Sequence, residues 1–325
     1  MKYVPDYKLN IISEEEFPSA ILNIEKELEK IKVQGKFKAF DGIDIYYEYF
    51  LAENSKASVV VVHGLSEFTK KFYEFAYYML NQGYNVFVYD QRCHGLSDRL
   101  TNNIELMHVD KFNDYVEDLT YFIDEIVLKT EDKPIYIYSH SMGGAISTLY
   151  ISKYPEKIKK ALLSVPMFEP TVAQVPVFLA RESVRIGRWI FGKKRKFFLS
   201  SDYDPNVKYS EKHGSSRVRF EHFLKLRNEN RQYQQAPLSF SWTFQSLIVG
   251  RKIFKSRTIK NLKTPILLFT SGKDTVVNNK LHYKFDERCD CCKLVNIPDG
   301  THALLASDSD TLTRIMNLTL SFFAD

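Results

Sequence analysis

The 325-residue chain predicts an α/β architecture: a mostly parallel central sheet with helices on both faces and a helical insertion. Three observations carry this prediction. Short runs of Val, Ile, Leu and Phe alternate with stretches whose apolar residues recur at helical spacing, the rhythm of βαβ units. The runs are continuously apolar, as strands covered on both faces are. The rhythm breaks between about Glu169 and Ile259, a stretch too long for a loop, with helical patterns and no buried strand.

Taken in order, residues 13–33 read as an acidic-started helix and its lead-in. Residues 43–50 and 58–63 read as strands, the second buried, and 70–82 as a helix. Residues 84–89 form a strand ending at Asp90. Phe112, Tyr115, Val116, Leu119, Phe122, Ile123, Ile126 and Val127 then mark a helix, with Asp110 as its N-cap. Strands follow at 134–138 and 160–165, flanking a helix at 142–153. Two further strands, 265–270 and 293–297, precede a closing helix at 312–323. The expected organisation is a core in two parts, 1–168 and 260–325, interrupted by a helical cap at 169–259, over the carboxyl ends of the strands where such sheets bind ligands.

Composition narrows the function classes. A net charge of +5 is too modest for a nucleic-acid partner. Its placement is informative: Arg181, Arg185, Arg188, Lys193, Lys194, Arg195 and Lys196 stand against Glu182 alone, so 181–196 carries the whole excess. Cys289, Cys291 and Cys292 crowd into four residues, with Cys93 apart. That spacing suits neither a disulfide framework nor a zinc site, and reads as free thiols in a reducing compartment. MKYVPDYKLN has no apolar h-region, and no run of about 18 apolar residues exists, so a cytoplasmic location is expected. No pattern calls for a metal or an organic cofactor.

The chemistry concentrates in YSHSMGG, Tyr138–Gly144, where a strand runs through a sharp turn into a helix. This is the setting of a nucleophile elbow, with Ser141 at a helix N-terminus that stabilises negative charge. Small flanking residues are required; Gly143 and Gly144 supply them on one side, Ser139 on the other. A serine nucleophile needs a base and an orienting acid, which in such sheets follow it in chain order. Of eight histidines only His302 lies on a short loop just after the last strand, in IPDGTHALL. Asp274, ending the preceding strand in LLFTSGKD, is the expected acid; its rival Asp299 shapes the Pro298–Gly300 turn. The backbone N–H groups of Met142 and Leu65 are the expected oxyanion donors. Glu67 is expected to cap the next helix, and the polar loop Asp90–Asp98 to brace the site, with Cys93 not catalytic.

In this order VVVVHGLSE, VYDQRCHGLSDRL, YSHSMGG, SGKD and PDGTH resemble the monoglyceride lipase and lysophospholipase branch of the α/β-hydrolases, and most nearly the bacterial membrane-associated lysophospholipases. Met107–Ile123 and Tyr209–Leu247 are similar to the same group, so the likeness runs from about Phe17 to Phe323. The resemblance implies an α/β-hydrolase fold, the triad Ser141, Asp274 and His302, and Leu65 and Met142 as oxyanion donors. Three positions depart from the family pattern: Ser139 in the elbow, Cys93 where Gly is frequent, and Ala303 where an acidic residue often follows the histidine.

The expected activity is hydrolysis of single-chain glycerolipid esters, lysophospholipids first and monoacylglycerols second. A small-ester carboxylesterase of the same fold and a non-catalytic hydrolase-like binding protein are the alternatives. An aminopeptidase would want carboxylates in the cap, and this cap is basic. Apolar residues interleaved with cations over 175–198 fit a segment lying on an anionic membrane, and equally a solvated basic face.

Overall fold

A computed structural model of the chain describes residues 9, 11–172 and 175–325. Residues 1–8, which include most of the segment read for a signal peptide, lie outside it, as do Ala173 and Gln174 of the expected cap. Eight strands form one sheet: β1 (Val33–Lys38), β2 (Asp44–Phe50), β3 (Ala57–Val62), β4 (Tyr84–Tyr89), β5 (Ile135–His140), β6 (Lys160–Ser164), β7 (Ile266–Ser271) and β8 (Cys292–Ile297). Their spatial order is β1-β2-β4-β3-β5-β6-β7-β8. The first two pairings are antiparallel and the remaining five parallel.

The continuous apolar runs sit where both faces are covered. Val59 and Val61 of β3 pack toward the helices α1 (Phe17–Ile31), α2 (Tyr73–Asn81) and the C-terminal helix Ser309–Ala324. Val60 and Val62 point the other way, onto α3 (Phe112–Phe122) and α4 (Met142–Lys153). Alternate residues of one strand therefore serve two cores, which is why four valines run through it without a break. β1 was not anticipated from sequence. Its VQGKFK buries Phe37 alone at an exposed edge, so it lacks the apolar signal that identifies a strand.

The N-cap of α3 is Lys111, one residue later than expected. The Asp114 carboxylate accepts the Lys111 N–H at 3.0 Å, closing the first turn from inside the helix. Asp110 instead offers its carbonyl to Gln245 at 3.1 Å.

Between β6 and β7 the helices are α5 (Val177–Phe191), α6 (Arg217–Glu229), α7 (Phe240–Ile253) and α8 (Ser256–Asn261). Pro170 bridges to Val277 and Met107 to Leu238, tying the insertion to loops at the carboxyl edge of the sheet. α5 rests on α7 through Val184 and Gly187, where the Phe240 ring fills the space a side chain would occupy. From Trp242 onward the insertion joins the main core: Trp242, Val249, Ile253 and Ile259 share a cluster with β3 and α4. Two later helices complete the chain, α9 (Lys280–Asp286), unmarked in the sequence reading, and α10, the C-terminal Ser309–Ala324.

Candidate active site

Ser141 follows β5 and precedes α4 directly, with φ 52° and ψ −115°, a strained conformation for a residue with a side chain. The turn is held by its neighbours. Ser141 N–H donates to the Ser164 carbonyl at 3.0 Å, and the Ser141 carbonyl accepts from Met167 at 2.8 Å. A Cβ on Gly143 would lie 1.9 Å from the Val62 carbonyl oxygen, so β3 and α4 can approach this closely only with glycine there. Ser139 is fully buried, and its hydroxyl donates to the Leu162 carbonyl at 3.0 Å. A small side chain with a partner thus takes the place of the missing one.

The structure brings Ser141, His302 and Asp274 together. His302 Nε2 accepts the Ser141 hydroxyl at 2.8 Å, and its Nδ1–H donates to Asp274 Oδ2 at 2.8 Å. The other Asp274 oxygen accepts N–H groups from Val276 at 2.7 Å and Val277 at 3.1 Å. Burial alone would raise the Asp274 carboxyl, but the hydrogen bond and charge of His302 with those two amides outweigh it, and Asp274 lies below its usual value. Burial lowers the His302 imidazole, against the opposing pull of Asp274. A neutral, correctly oriented base results. Asp299 stands apart, 82% exposed, with Lys273 at 3.6 Å.

Leu65 lies on the loop after β3. Its neighbour Gly64 is so near Ser141 that a Cβ built there would be 3.1 Å from the Ser141 Cβ. The Gly64 backbone thus lies against Ser141, with Leu65 next to it in the chain, and Met142 follows Ser141 at the start of α4.

Sequence reasoning missed a second set of titratable groups here. Glu67 does not cap a helix. It is buried, and its carboxylate accepts the Gly64 N–H at 2.6 Å, His140 Nδ1–H at 2.9 Å and the Lys71 ammonium. His140 Nε2–H donates in turn to the His302 carbonyl at 2.9 Å. Both His140 nitrogens thus face acceptors. Burial would raise Glu67, yet the charges of His140 and Lys71 hold it well below the ordinary carboxylate value. One carboxylate thereby joins the Gly64–Leu65 loop to the loop carrying His302. The available signal was an acid three residues after Gly64 and a histidine inside the elbow itself, two titratable groups inside the motifs that flank Ser141.

The loop after β4, expected to brace the site, is itself held by buried polar contacts. Asp90 accepts N–H groups from Thr69 and Leu96, each at 2.7 Å, and Arg92 pairs with the buried Asp118. Burial pushes Asp90 up to about 7. Cys93 is buried with φ 62°, the left-handed region that glycine favours, and burial raises its thiol, which does not suit a nucleophile. His63, His94 and His282 are buried and pushed down to about 4, 3 and 4, mainly by desolvation.

A cavity of about 810 Å³ lies within the insertion, walled by Val184, Ile190, Phe197, Phe240, Trp242 and Leu247. Through Pro170, Thr171, Val172 and Val175 it shares a wall with a second cavity, of about 440 Å³, that Asp274 lines.

Comparison with known proteins gives a consistent picture. The Hydrolase_4 family model, described as serine aminopeptidase S33, matches residues 53–310. Lysophospholipase L2 of Escherichia coli K12 is 29% identical over 269 residues, covering 78% of this chain and 74% of that protein. Monoglyceride lipase of Mus musculus is 26% identical over 244 residues, covering 75% and 74%. Among solved structures, a soluble variant of Saccharomyces cerevisiae monoglyceride lipase with a substrate analogue superposes with a TM-score of 0.70 at 18% identity, over 89% of this chain and 95% of that one. A carboxyl esterase from Bacillus coagulans gives 0.71 at 13% identity, over 90% and 97%. Both share the α/β-hydrolase fold with this chain.

Proposed function

The chain belongs to the serine aminopeptidase S33 family of hydrolases, and within it we propose a serine esterase that hydrolyses single-chain glycerolipid esters, lysophospholipids first and monoacylglycerols second. The observation that carries this reading is the hydrogen-bonded line from Ser141 through His302 to Asp274, each bond 2.8 Å, with Asp274 lining a cavity that shares a wall with the apolar one inside the insertion. Lysophospholipase L2 and monoglyceride lipase among the relatives support the substrate class.

In this reading Ser141 Oγ attacks the ester carbonyl carbon while His302 Nε2 takes its proton. The Leu65 and Met142 N–H groups hold the oxyanion. Asp274 keeps the Nδ1 proton in place and stabilises the imidazolium. Collapse expels the glycerol-bearing alcohol, protonated by His302, and leaves an acyl-enzyme. Water, deprotonated by the same histidine, then releases the fatty acid. Residues 169–259 act as the cap, and the cavity lined by Val184, Phe240 and Leu247 takes the acyl chain.

The name of the family model raises a peptidase reading, but the basic run 181–196 does not suit the α-amine of a peptide substrate. Membrane contact through 175–198 belongs to the same proposal. Trp189 is 86% and Phe198 60% exposed, and Phe178, Ile186 and Ile190 are exposed beside Lys193, Lys194 and Arg195. Among the described residues no helix is long and apolar enough to cross a membrane, so such contact would be peripheral.

The deciding experiment compares lysophospholipids, monoacylglycerols and p-nitrophenyl butyrate side by side, with a fluorophosphonate probe for the serine. Preferred turnover of the long single-chain lipids with labelling at Ser141 is the expected result. Turnover confined to the butyrate would make the protein a small-ester carboxylesterase, and no labelling would remove the enzyme reading.

A further inference from the structure

At the amino end of β8, at the edge of the sheet opposite the Ser141 site, the turn Cys289–Cys292 gathers three thiols. The Cys292 N–H donates to the Cys289 carbonyl at 2.9 Å, and the Cys291 carbonyl accepts from Ile266 of β7 at 2.8 Å. This backbone pinning sets Cys289 Sγ and Cys291 Sγ 3.4 Å apart. Cys289 is 3% exposed, while Cys291 is half-buried and lines a cavity of about 480 Å³. That cavity is strongly basic. Lys260 and Lys263 at the end of α8 line it with Arg288, against the single carboxylate of Asp290. Among the described residues no group of three or more His, Cys, Asp or Glu is placed to hold a metal ion.

We propose that Cys289 and Cys291 form a reactive dithiol that exchanges with small anionic disulfides of the glutathione class, seated in the basic cavity. Cys291 is the attacking sulfur because it alone faces the cavity, and Cys289 behind it is the resolving sulfur. Either sulfur can donate in the Cys289–Cys291 hydrogen bond, and that bond, with the charge of Lys263, draws the Cys291 thiol below its usual value. The same bond first, and burial second, push Cys289 up, and burial pushes Cys292 up. In the first step the Cys291 thiolate attacks one sulfur of the disulfide. The S–S bond breaks, and one small thiol leaves as a thiolate and takes a proton. Cys289 then loses its proton to solvent and attacks Cys291 Sγ, expelling the second small thiol. The Cys289–Cys291 bond closes from 3.4 Å to about 2.05 Å. Two protein thiols are oxidised and one small disulfide is reduced to two thiols.

The proposal is independent of the esterase reading, since its chemistry lies at the other edge of the sheet. The test exposes the fully reduced chain to oxidised glutathione and follows adducts by intact mass and peptide mapping. Cys291 is expected to be modified first, ahead of Cys292, Cys289 and Cys93, and the adduct to convert to an internal Cys289–Cys291 disulfide. Cys289→Ser should arrest the reaction at the mixed disulfide. Replacing Lys260 and Arg288 by Gln should slow exchange with oxidised glutathione by about three- to tenfold, as local anion concentration falls, while leaving exchange with the neutral 2-hydroxyethyl disulfide within about twofold. Ester hydrolysis by the oxidised protein should equal that of the reduced one. Equal modification of Cys291 and Cys292 in the unaltered protein, or equal slowing with both disulfides, would overturn the proposal.

Discussion

Helix α4, which follows Ser141, and helix α5, which opens the insertion, are built on opposite terms. Nine of the twelve residues of α4 are buried, and its glycines face backbone or a proline ring. α5 has fifteen residues, of which Val184 and Gly187 alone are buried, and its apolar side chains appear on its outward face as well as its packed one. A helix clamped by strands on one side and helices on the other can hold a strained residue at its start. A helix resting on one neighbour can shift, and can offer its free face to a lipid. Under the proposed function the contrast separates a tightly packed centre for the chemistry from a less constrained surface for the substrate.

The sharpest way to break this division is at the serine. Ser141→Ala should lower turnover by about 10⁵- to 10⁶-fold with an unchanged melting temperature, since only a hydroxyl leaves the turn. Turnover within a few-fold of the parent would remove Ser141 from the chemistry. Asp274→Asn comes next: the His302 tautomer that accepts from Ser141 is then disfavoured, and kcat should fall about 10⁴-fold. Asp299→Asn, at an exposed turn, should stay within about threefold, and steady-state kinetics on a soluble ester will rank the two.

Two glycines test the rigidity itself. In Gly143→Ala the new methyl meets the Val62 carbonyl at 1.9 Å, and backbone inside a parallel sheet cannot retreat. A loss on the order of 3 kcal/mol is expected, by analogy with overpacked cores. In Gly187→Ala the methyl meets the rim of the Phe240 ring at 2.4 Å, which α5 can relieve by tilting. Alanine also favours the helix by about 1 kcal/mol, so denaturation should show a change within about 1 kcal/mol of zero. Similar losses at both sites would mean that α5 is held as firmly as α4.

Smaller again is the effect of charge on the outward face. Lys193, Lys194 and Arg195 are exposed, while Lys196 pairs with Asp202 at 2.6 Å. Replacing the three by Gln should weaken sedimentation with anionic vesicles by roughly 1 kcal/mol per charge, less at high salt. Hydrolysis of p-nitrophenyl butyrate should not change, and matched losses in both assays would give the run a structural role. The mildest effect is on pH. His302 must be neutral to accept a proton, and its imidazole lies below the ordinary 6.5. Activity is therefore lost only as pH falls through that lowered value, and the acid limb of kcat/KM should have its midpoint below 6.5. A midpoint above 6.5 would show that the buried, neutral base does not govern the limb.

Much of this molecule was legible in local sequence. The strand, turn and helix around Ser141 need only the apolar run before it and the glycines after it, and those are neighbours in the chain. Asp274 and His302 could be read as partners of Ser141 because each follows a strand, and a parallel sheet brings all such strand ends to one edge whatever the separation along the chain. β1 was not legible, because an edge strand with one buried side chain carries almost no hydrophobic signal. Glu67 was misread for a different reason. Its partners His140 and Lys71 give it a meaning that a cap position does not, and His140 reaches it only after β3 and β5 have paired. The basic wall around Cys291 is of the same kind, assembled from the end of α8 and the turn before β8. The sequence by itself determined the strands β2 to β8, the turn at Ser141 and the order of Ser141, Asp274 and His302, because periodicity and turn chemistry act over a few residues. The tertiary structure alone decided the environment of each charge, because desolvation and Coulomb interaction depend on distance in space.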